Sequence, residues 1–303
     1  MFTTVKRLVL GLVALGTLAA CSAGAPLASA PASSAPTQAL VIGSQAYYSN
    51  EIIAELYAQA LEAKGVTISR QYQIGQREAY LPDLAAGKID LMPEYSGNLL
   101  QYYDKSATAT SPADVVAALG TALPKGLRPL AAATATDQDS YNVTSAFAKQ
   151  YGLASLEDLA NVPGPIKVAA NSEFEKRPYG PAGLKKYYGV EVTVVPVEDG
   201  GGPLTVKALL DGTVQAADIY SAAPSIGANK FVTLSDPKNM ILPQNVIPIV
   251  STKVDDSAAK IIDSVSAKLD TASLVALNQR SVTEQATSAV IAKAWLTEQG
   301  LLG

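Results

Sequence analysis

The sequence predicts an α/β protein of two lobes with a ligand cleft between them. Three observations predict it. Strand-like and helix-like segments alternate from about residue 40 to residue 234, the pattern of mainly parallel sheets with helices on both faces. From residue 255 onward the pattern turns to helices alone. The stretch that carries both patterns, roughly 260 residues, is long enough for two lobes with cores of their own. Ligands of open α/β sheets sit beyond the carboxyl ends of the strands, so two lobes put their site in the crevice between them.

The chain opens differently. Lys6 and Arg7 precede an apolar run over 8–20, and Leu18-Ala19-Ala20-Cys21 closes it. A charged start, a short apolar stretch and small residues at a cleavage point predict a secretory signal over 1–21. The run is too short to span a bilayer, which takes about 20 residues. The tetrapeptide resembles a bacterial lipoprotein box, which implies that the Cys21 thiol is lipidated and becomes the mature N-terminus. No other cysteine is present to pair with it. Residues 22–39 are almost entirely Ser, Ala, Pro and Gly up to Thr37. They cannot bury enough apolar surface to offset their ordering entropy and are expected to be a tether.

Each later element has a local reason. Residues 40–43 form a short apolar strand. Ile52, Ile53, Leu56, Ala60 and Leu61 share one face of a helix over 51–64, with Ser49 or Asn50 as its cap and Gly65 as its end. Residues 66–73 alternate as a strand, 78–86 are helical up to Gly87, and 89–92 read as a buried strand. Ser111 caps a helix over 111–123 with Pro112 at its first position. Strands follow at 166–170, 192–197, 216–219 and 231–234, separated by helices at 181–188 and 203–210; the final helices run to Trp295. No internal repeat is visible.

Composition narrows the chemistry. Net charge is −4 with no basic stripe, which argues against a nucleic-acid partner. Histidine is absent, which removes His-based triads, most catalytic zinc sites and the commonest general base near neutral pH. There are 14 Tyr against 4 Phe and 1 Trp, a balance that suits a wet aromatic recognition surface. Gly200-Gly201-Gly202-Pro203 opens a helix without the spacing of a phosphate-binding loop, and a tight strand-to-helix turn is the better reading. Ser257-Ala258-Ala259-Lys260 has the form Ser-x-x-Lys but no Lys-Thr-Gly accompanies it, so chance on an amphipathic helix is the better reading.

Several stretches are more specific: Val41-Ile42-Gly43-Ser44 with Glu55-Leu56-Tyr57-Ala58-Gln59; Gly75-Gln76-Arg77-Glu78-Ala79-Tyr80-Leu81; Ala86-Gly87-Lys88 running through Ile89-Asp90-Leu91-Met92-Pro93-Glu94-Tyr95-Ser96-Gly97; Asp139-Ser140-Tyr141; and Phe174-Glu175-Lys176-Arg177 followed by Gly183-Leu184 and Tyr188-Gly189. In order and spacing they resemble the substrate-binding proteins of ABC importers for glycine betaine, choline and related osmoprotectants, over essentially all of residues 40–303. The resemblance implies a type II periplasmic-binding-protein-like fold. Its lobes would be 40–138 plus 243–303, and 139–242, hinged near 138–140 and 242–244. It also implies a box of tyrosines for a quaternary ammonium, which cannot donate a hydrogen bond and is held by aromatic ring faces. Tyr95, Tyr141 and Tyr220 match box tyrosines, Asp139 an acidic box residue, and Arg177 the arginine that clamps a ligand carboxylate.

Three positions depart from the family pattern. Gln45 stands where a carboxylate-binding lysine is usual, Asn98 where a threonine hydroxyl is frequent, and Gln244 where a fourth box tyrosine is expected. Losing a cation weakens the case for betaine and leaves room for choline, a longer betaine or a neutral polyhydroxy ligand. Tyr47 and Tyr48 beside Gln45 either restore an aromatic wall or pack at a helix start. The resemblance therefore implies a lipid-anchored, extracytoplasmic, monomeric binding protein. It would present a small compatible solute to a membrane permease by lobe closure, with no catalytic residue, metal or cofactor and no membrane contact except the anchor. A polyol, sugar-like or aromatic ligand on the same fold, or a cell-envelope hydrolase, are the rival readings.

Overall fold

The carboxyl ends of eight parallel strands and the entries of two reversed ones face the same side of their sheets, and the way the chain crosses between two sheets brings this about. The computed structural model describes residues 39–303. Cys21 and almost all of the expected tether lie outside the described residues. The strands are β1 (Leu40–Gly43), β2 (Ile68–Gln71), β3 (Leu91–Tyr95), β4 (Leu127–Pro129), β5 (Tyr141–Val143), β6 (Ile166–Ala170), β7 (Val192–Pro196), β8 (Ala216–Asp218), β9 (Val232–Thr233) and β10 (Val246–Ser251). They form two five-stranded sheets, in the orders β2-β1-β3-β10-β4 and β7-β6-β8-β5-β9.

Each sheet is parallel except for one strand. In the first, β10 runs antiparallel to both β3 and β4. In the second, β5 runs antiparallel to both β8 and β9. These are the strands that the chain enters directly after passing from one sheet to the other. A strand entered from the neighbouring sheet starts at the shared edge and must run away from it, whereas the others end there. The expected mainly parallel sheets are thus present, each with one reversed strand.

The helices are α1 (Tyr48–Glu62), α2 (Arg77–Ala85), α3 (Ser96–Tyr103), α4 (Pro112–Ala122), α5 (Ser145–Tyr151), α6 (Pro181–Tyr188), α7 (Pro203–Leu210), α8 (Pro224–Ala228), α9 (Asp256–Ser266), α10 (Thr271–Glu284) and α11 (Ser288–Glu298). Caps start several of them. Ser111 Oγ accepts from the Asp114 amide with Pro112 in the first turn of α4, and Asp255, Asp270 and Thr287 cap α9, α10 and α11 in the same way. Helices cover both faces of each sheet. One face of the first sheet buries Ile52, Leu56 and Leu61 of α1 with Ile262 and Leu296 of the last helices. The other buries Leu81, Leu99 and Leu119 of α2, α3 and α4.

Three expectations at element ends are corrected. α1 begins at Tyr48, not at residue 51, and its cap residue Tyr47 makes no side-chain cap. Ser49 and Asn50 are instead inside the first turn: Asn50 Oδ1 accepts from the Gln45 amide and Ser49 Oγ donates to Asp137. The buried strand expected at 89–92 is β3, displaced to 91–95, which carries Tyr95 to the end of its sheet. The last helix continues past Trp295 to Glu298. The tight-turn reading of the glycine run holds, since the amides of Gly202, Leu204 and Thr205 are all taken by the Asp199 carboxylate. A Cβ at Gly201, where φ is +78°, would come within 2.9 Å of the Ile219 Cα. Ser257 and Lys260 are exposed on α9.

Candidate functional site

The strand ends supply the lining of one cavity between the sheets. Gln45 follows β1 and Tyr95 ends β3; Asn171 follows β6, Asp218 ends β8, and Asp139 precedes the reversed β5. Tyr47, Arg77, Asn98, Asp137, Arg177 and Tyr220 also line it, with Glu173, Phe174 and Tyr179. Its volume is about 30 Å³, room for no more than a few water molecules, so the side chains are drawn close.

Aromatic rings form much of the wall. Tyr47 packs edge-on against Tyr220 with ring centres 5.1 Å apart, and lies 6.3 Å from Tyr95 at a tilt of 31°. Across the cavity Phe174 meets Tyr179 at 5.9 Å. Burial pushes the Tyr47, Tyr95, Tyr179 and Tyr220 phenols up, so these rings stay neutral. Neutral rings offer the electron-rich faces that attract a cation.

The charges in the cavity are mostly acidic. Asp137 is buried, and loss of solvent moves its pKa up to about 7, although Ser49 Oγ and the Ala222 amide each donate to it at 2.9 Å. Burial and the neighbouring Asp139 charge push Asp218 well above the usual carboxylate range. Burial also raises Glu173. The two lining arginines are already paired. Arg77 makes a bidentate contact with buried Glu94, at 3.1 and 2.7 Å. Arg177 Nη1 and Nη2 donate to Glu78 on α2 at 2.9 and 3.3 Å. No lysine lines the cavity among the described residues.

Of the residues expected from the sequence, Tyr95, Tyr220, Arg177, Asp139, Gln45 and Asn98 come together around this cavity. Three do not line it. The Tyr141 ring packs on Phe174 at 5.6 Å inside the second sheet's core, and its hydroxyl donates to the Tyr179 carbonyl at 2.8 Å, so it supports the wall from behind. Gln244 grips Asn98 instead of facing the cavity: its Oε1 accepts from the Asn98 amide at 2.8 Å and its Nε2 donates to Asn98 Oδ1 at 2.6 Å. A Cβ at Gly97 would meet the Pro243 carbonyl oxygen at 2.6 Å, so glycine permits this approach. Tyr48 borders a separate outer groove with Pro203, Leu210 and Val282. The aromatic wall beside Gln45 is therefore Tyr47. Among the lining residues that sequence reasoning missed are Arg77, Asp137, Glu173, Phe174, Tyr179 and Asp218; Glu173, Phe174 and Tyr179 lie within a few residues of Arg177, which was the available signal.

Asn98 and Gln45 use their groups differently from the expectation. Asn98 Nδ2 donates to Asp139 Oδ2 at 2.5 Å, tying the first sheet's α3 to the chain entering the second. Gln45 is 3% exposed, and its Nε2 is buried with no hydrogen-bond partner among the described residues.

Residues 38–298 match the family described as the substrate binding domain of ABC-type glycine betaine transport systems. The chain belongs to this family. Members of the family are binding proteins of transporters. This binding protein is 27% identical over 275 residues to the glycine betaine-binding protein YehZ of Escherichia coli, covering 86% of this chain and 90% of the relative. It is equally 27% identical over 280 residues to a glycine-betaine-binding protein of Pseudomonas aeruginosa, covering 88% and 89%. Among solved structures it is similar to a glycine betaine/carnitine/choline ABC transporter protein, with a TM-score of 0.70 at 21% identity, over 87% of this chain and all of the other. The fold is thus that of type II periplasmic binding proteins. Binding proteins of ABC importers act outside the cytoplasm in concert with a permease, and among the described residues no helix is long and apolar enough to cross a membrane.

Proposed function

We propose that this protein captures a small quaternary ammonium compound, glycine betaine or choline, in the tyrosine-lined cavity and presents it to its permease. The observation that carries the reading is the Tyr47, Tyr95 and Tyr220 cluster, three neutral rings from both sheets on one acidic cavity. Ring faces supply what a trimethylammonium needs, about 0.5–2 kcal/mol for each well-placed ring. The lobes are taken as 40–138 plus 243–303, and 139–242. The cavity's small volume supports a cycle in which they part to admit ligand and close on it. The Asn98–Asp139 and Arg177–Glu78 contacts across the cleft are the natural closing contacts.

Titration calorimetry with each compound tests the ligand class. Arg177→Ala is expected to weaken glycine betaine and leave choline nearly unchanged. A lost charge-assisted bond is typically worth about 1.5–3 kcal/mol, and the lower end applies because the partly exposed Glu78 competes for the guanidinium. Gln45→Lys is expected to favour betaine over choline. Equal weakening of both compounds by Arg177→Ala makes the arginine a lobe-closing contact alone. Failure of both compounds to bind the wild type at millimolar concentration removes the quaternary ammonium reading.

The protein is further read as a monomer held to the membrane by lipid on Cys21, with the Ser/Ala/Pro-rich stretch behind it as the tether; the Leu-Ala-Ala-Cys sequence supports this. Cys21→Ala is expected to abolish incorporation of a labelled fatty acid. Equal labelling of variant and wild type is the result that sinks the anchor.

A further inference from the structure

The cavity holds more acid than a zwitterion needs. Asp137, Asp139 and Asp218 line it together, and Glu173 adds a fourth carboxylate. Asp137 faces Asp139 and the hydroxyl-bearing rings of Tyr47 and Tyr95. Asp218 faces Asp139 and Glu173, with Tyr179 and Tyr220 alongside. The cations near them are committed elsewhere, Arg77 to Glu94 and Arg177 to Glu78. Fully ionised, the trio would be three negative charges around one cavity with no uncommitted cation among its described lining residues, and like charges at close quarters favour keeping a proton between them. A second feature of the same cavity points to a ligand. Gln45 Nε2 is a buried donor without an acceptor among the described residues, and a buried unpaired donor is costly until an oxygen reaches it. Choline offers a hydroxyl oxygen and betaine a carboxylate oxygen.

Resting on the quaternary ammonium reading above, we propose that a cation with no carboxylate of its own is captured by exchange for a proton held by the Asp137 and Asp218 carboxyls that flank Asp139 in the cavity, whereas a zwitterion is captured with that proton retained. In the first case the ammonium charge replaces the proton as counter-charge, and the proton leaves the carboxyl oxygen for solvent buffer. In the second the ligand brings its own negative group, and the protonated carboxyl can donate a hydrogen bond to it. No covalent bond to the ligand forms in either case. The two ligands therefore respond to pH in opposite directions. The sign follows from the raised Asp137 and Asp218 carboxyls: Asp137 gives up its proton as pH rises through about 7, so rising pH prepares the site for the cation and unprepares it for the zwitterion.

Calorimetric titration of the wild-type protein with choline and with glycine betaine, between ~pH 6 and ~pH 8 in two buffers of different ionisation enthalpy, counts the protons directly. Choline is expected to release close to one proton at the acid end, with its Kd falling by up to about tenfold per pH unit. Betaine is expected to release none, with a Kd that is flat or rises. Asp218→Asn keeps a donor and an acceptor in place of the protonated carboxyl; it is expected to weaken choline more than betaine and to reduce the proton release that choline causes. Identical heats in both buffers for choline, or the same proton count for both ligands, overturn the exchange while leaving the quaternary ammonium reading intact. Binding of neither compound overturns that reading, and the exchange with it.

Discussion

Replacing Arg77 by alanine is expected to lower the stability of the protein by about 3–5 kcal/mol, the cost of leaving a buried ion-pair partner without its counter-charge. The side chains of Arg77 and Glu94 are 5% and 0% exposed. Glu94 accepts from Arg77 Nε at 3.1 Å and Nη2 at 2.7 Å, from the Tyr80 hydroxyl, and from the Tyr95 amide at 2.9 Å. With the guanidinium gone, the carboxylate must remain ionised without compensation, take up a proton, or pull water into the core between α2 and β3. Each route also disturbs Tyr95, whose backbone hangs on the same carboxylate and whose ring lines the cavity. A fall in ligand affinity should therefore accompany the fall in stability. Urea denaturation provides the measurement. The double variant Arg77→Met with Glu94→Leu is expected to recover much of the stability, because two apolar groups leave no charge stranded. A loss below about 1 kcal/mol in the single variant would mean that the pair behaves as a surface ion pair and that its burial is not felt.

The elements legible in the sequence are those with local signals. α6 is bounded as expected, because Pro181 opens it and Gly189, at a φ of +71°, closes it. α4 has Ser111 and Pro112. The two reversed strands were not legible, and they are what bind the sheets into one site. β10 is buried throughout and shows no alternation. It also carries Pro248 in the middle of a sheet, where a missing amide normally argues against a strand; the structure places Pro248 opposite Pro93 of β3, so the gap in the ladder is shared by both strands. β5 is only three residues long and includes Asn142. α3 begins with Ser96-Gly97-Asn98, which reads as a turn until the Gly97 contact with Pro243 is known. Sequence order also cannot tell which way a side chain faces. Tyr47 and Tyr48 are neighbours, yet Tyr47 is in extended backbone at φ −139° and faces the cavity, while Tyr48 starts α1 and borders the outer groove. Matching by order placed Tyr141 in the box for the same reason, although its ring turns into the core.

Removing either tyrosine ring from the cavity is expected to weaken quaternary ammonium binding far more than removing only its hydroxyl, and the pair Tyr95 and Tyr220 tests this from both sheets. The ring faces carry about 0.5–2 kcal/mol each. Tyr220 supports a second ring as well, since Tyr47 rests edge-on against it at 5.1 Å, and such an aromatic pair contributes about 0.5–1.5 kcal/mol of its own. Tyr220→Ala should therefore cost more than Tyr95→Ala, whose contact with Tyr47 is looser at 6.3 Å. The phenylalanine variants keep the ring faces. Tyr95→Phe gives up a long hydrogen bond from Asn50 Nδ2, at 3.5 Å, and a hydroxyl contact with Tyr47, but it keeps the ring face, so its affinity for choline should stay near that of the wild type. Calorimetric titration of the four variants with choline makes the comparison. Equal losses for the alanine and phenylalanine forms would put recognition in the hydroxyls, and the ligand would then have to be a hydrogen-bonding solute such as a polyol. A large loss for alanine with little for phenylalanine leaves the ring face as the group that holds the cation, which an alkylated nitrogen without a donor requires.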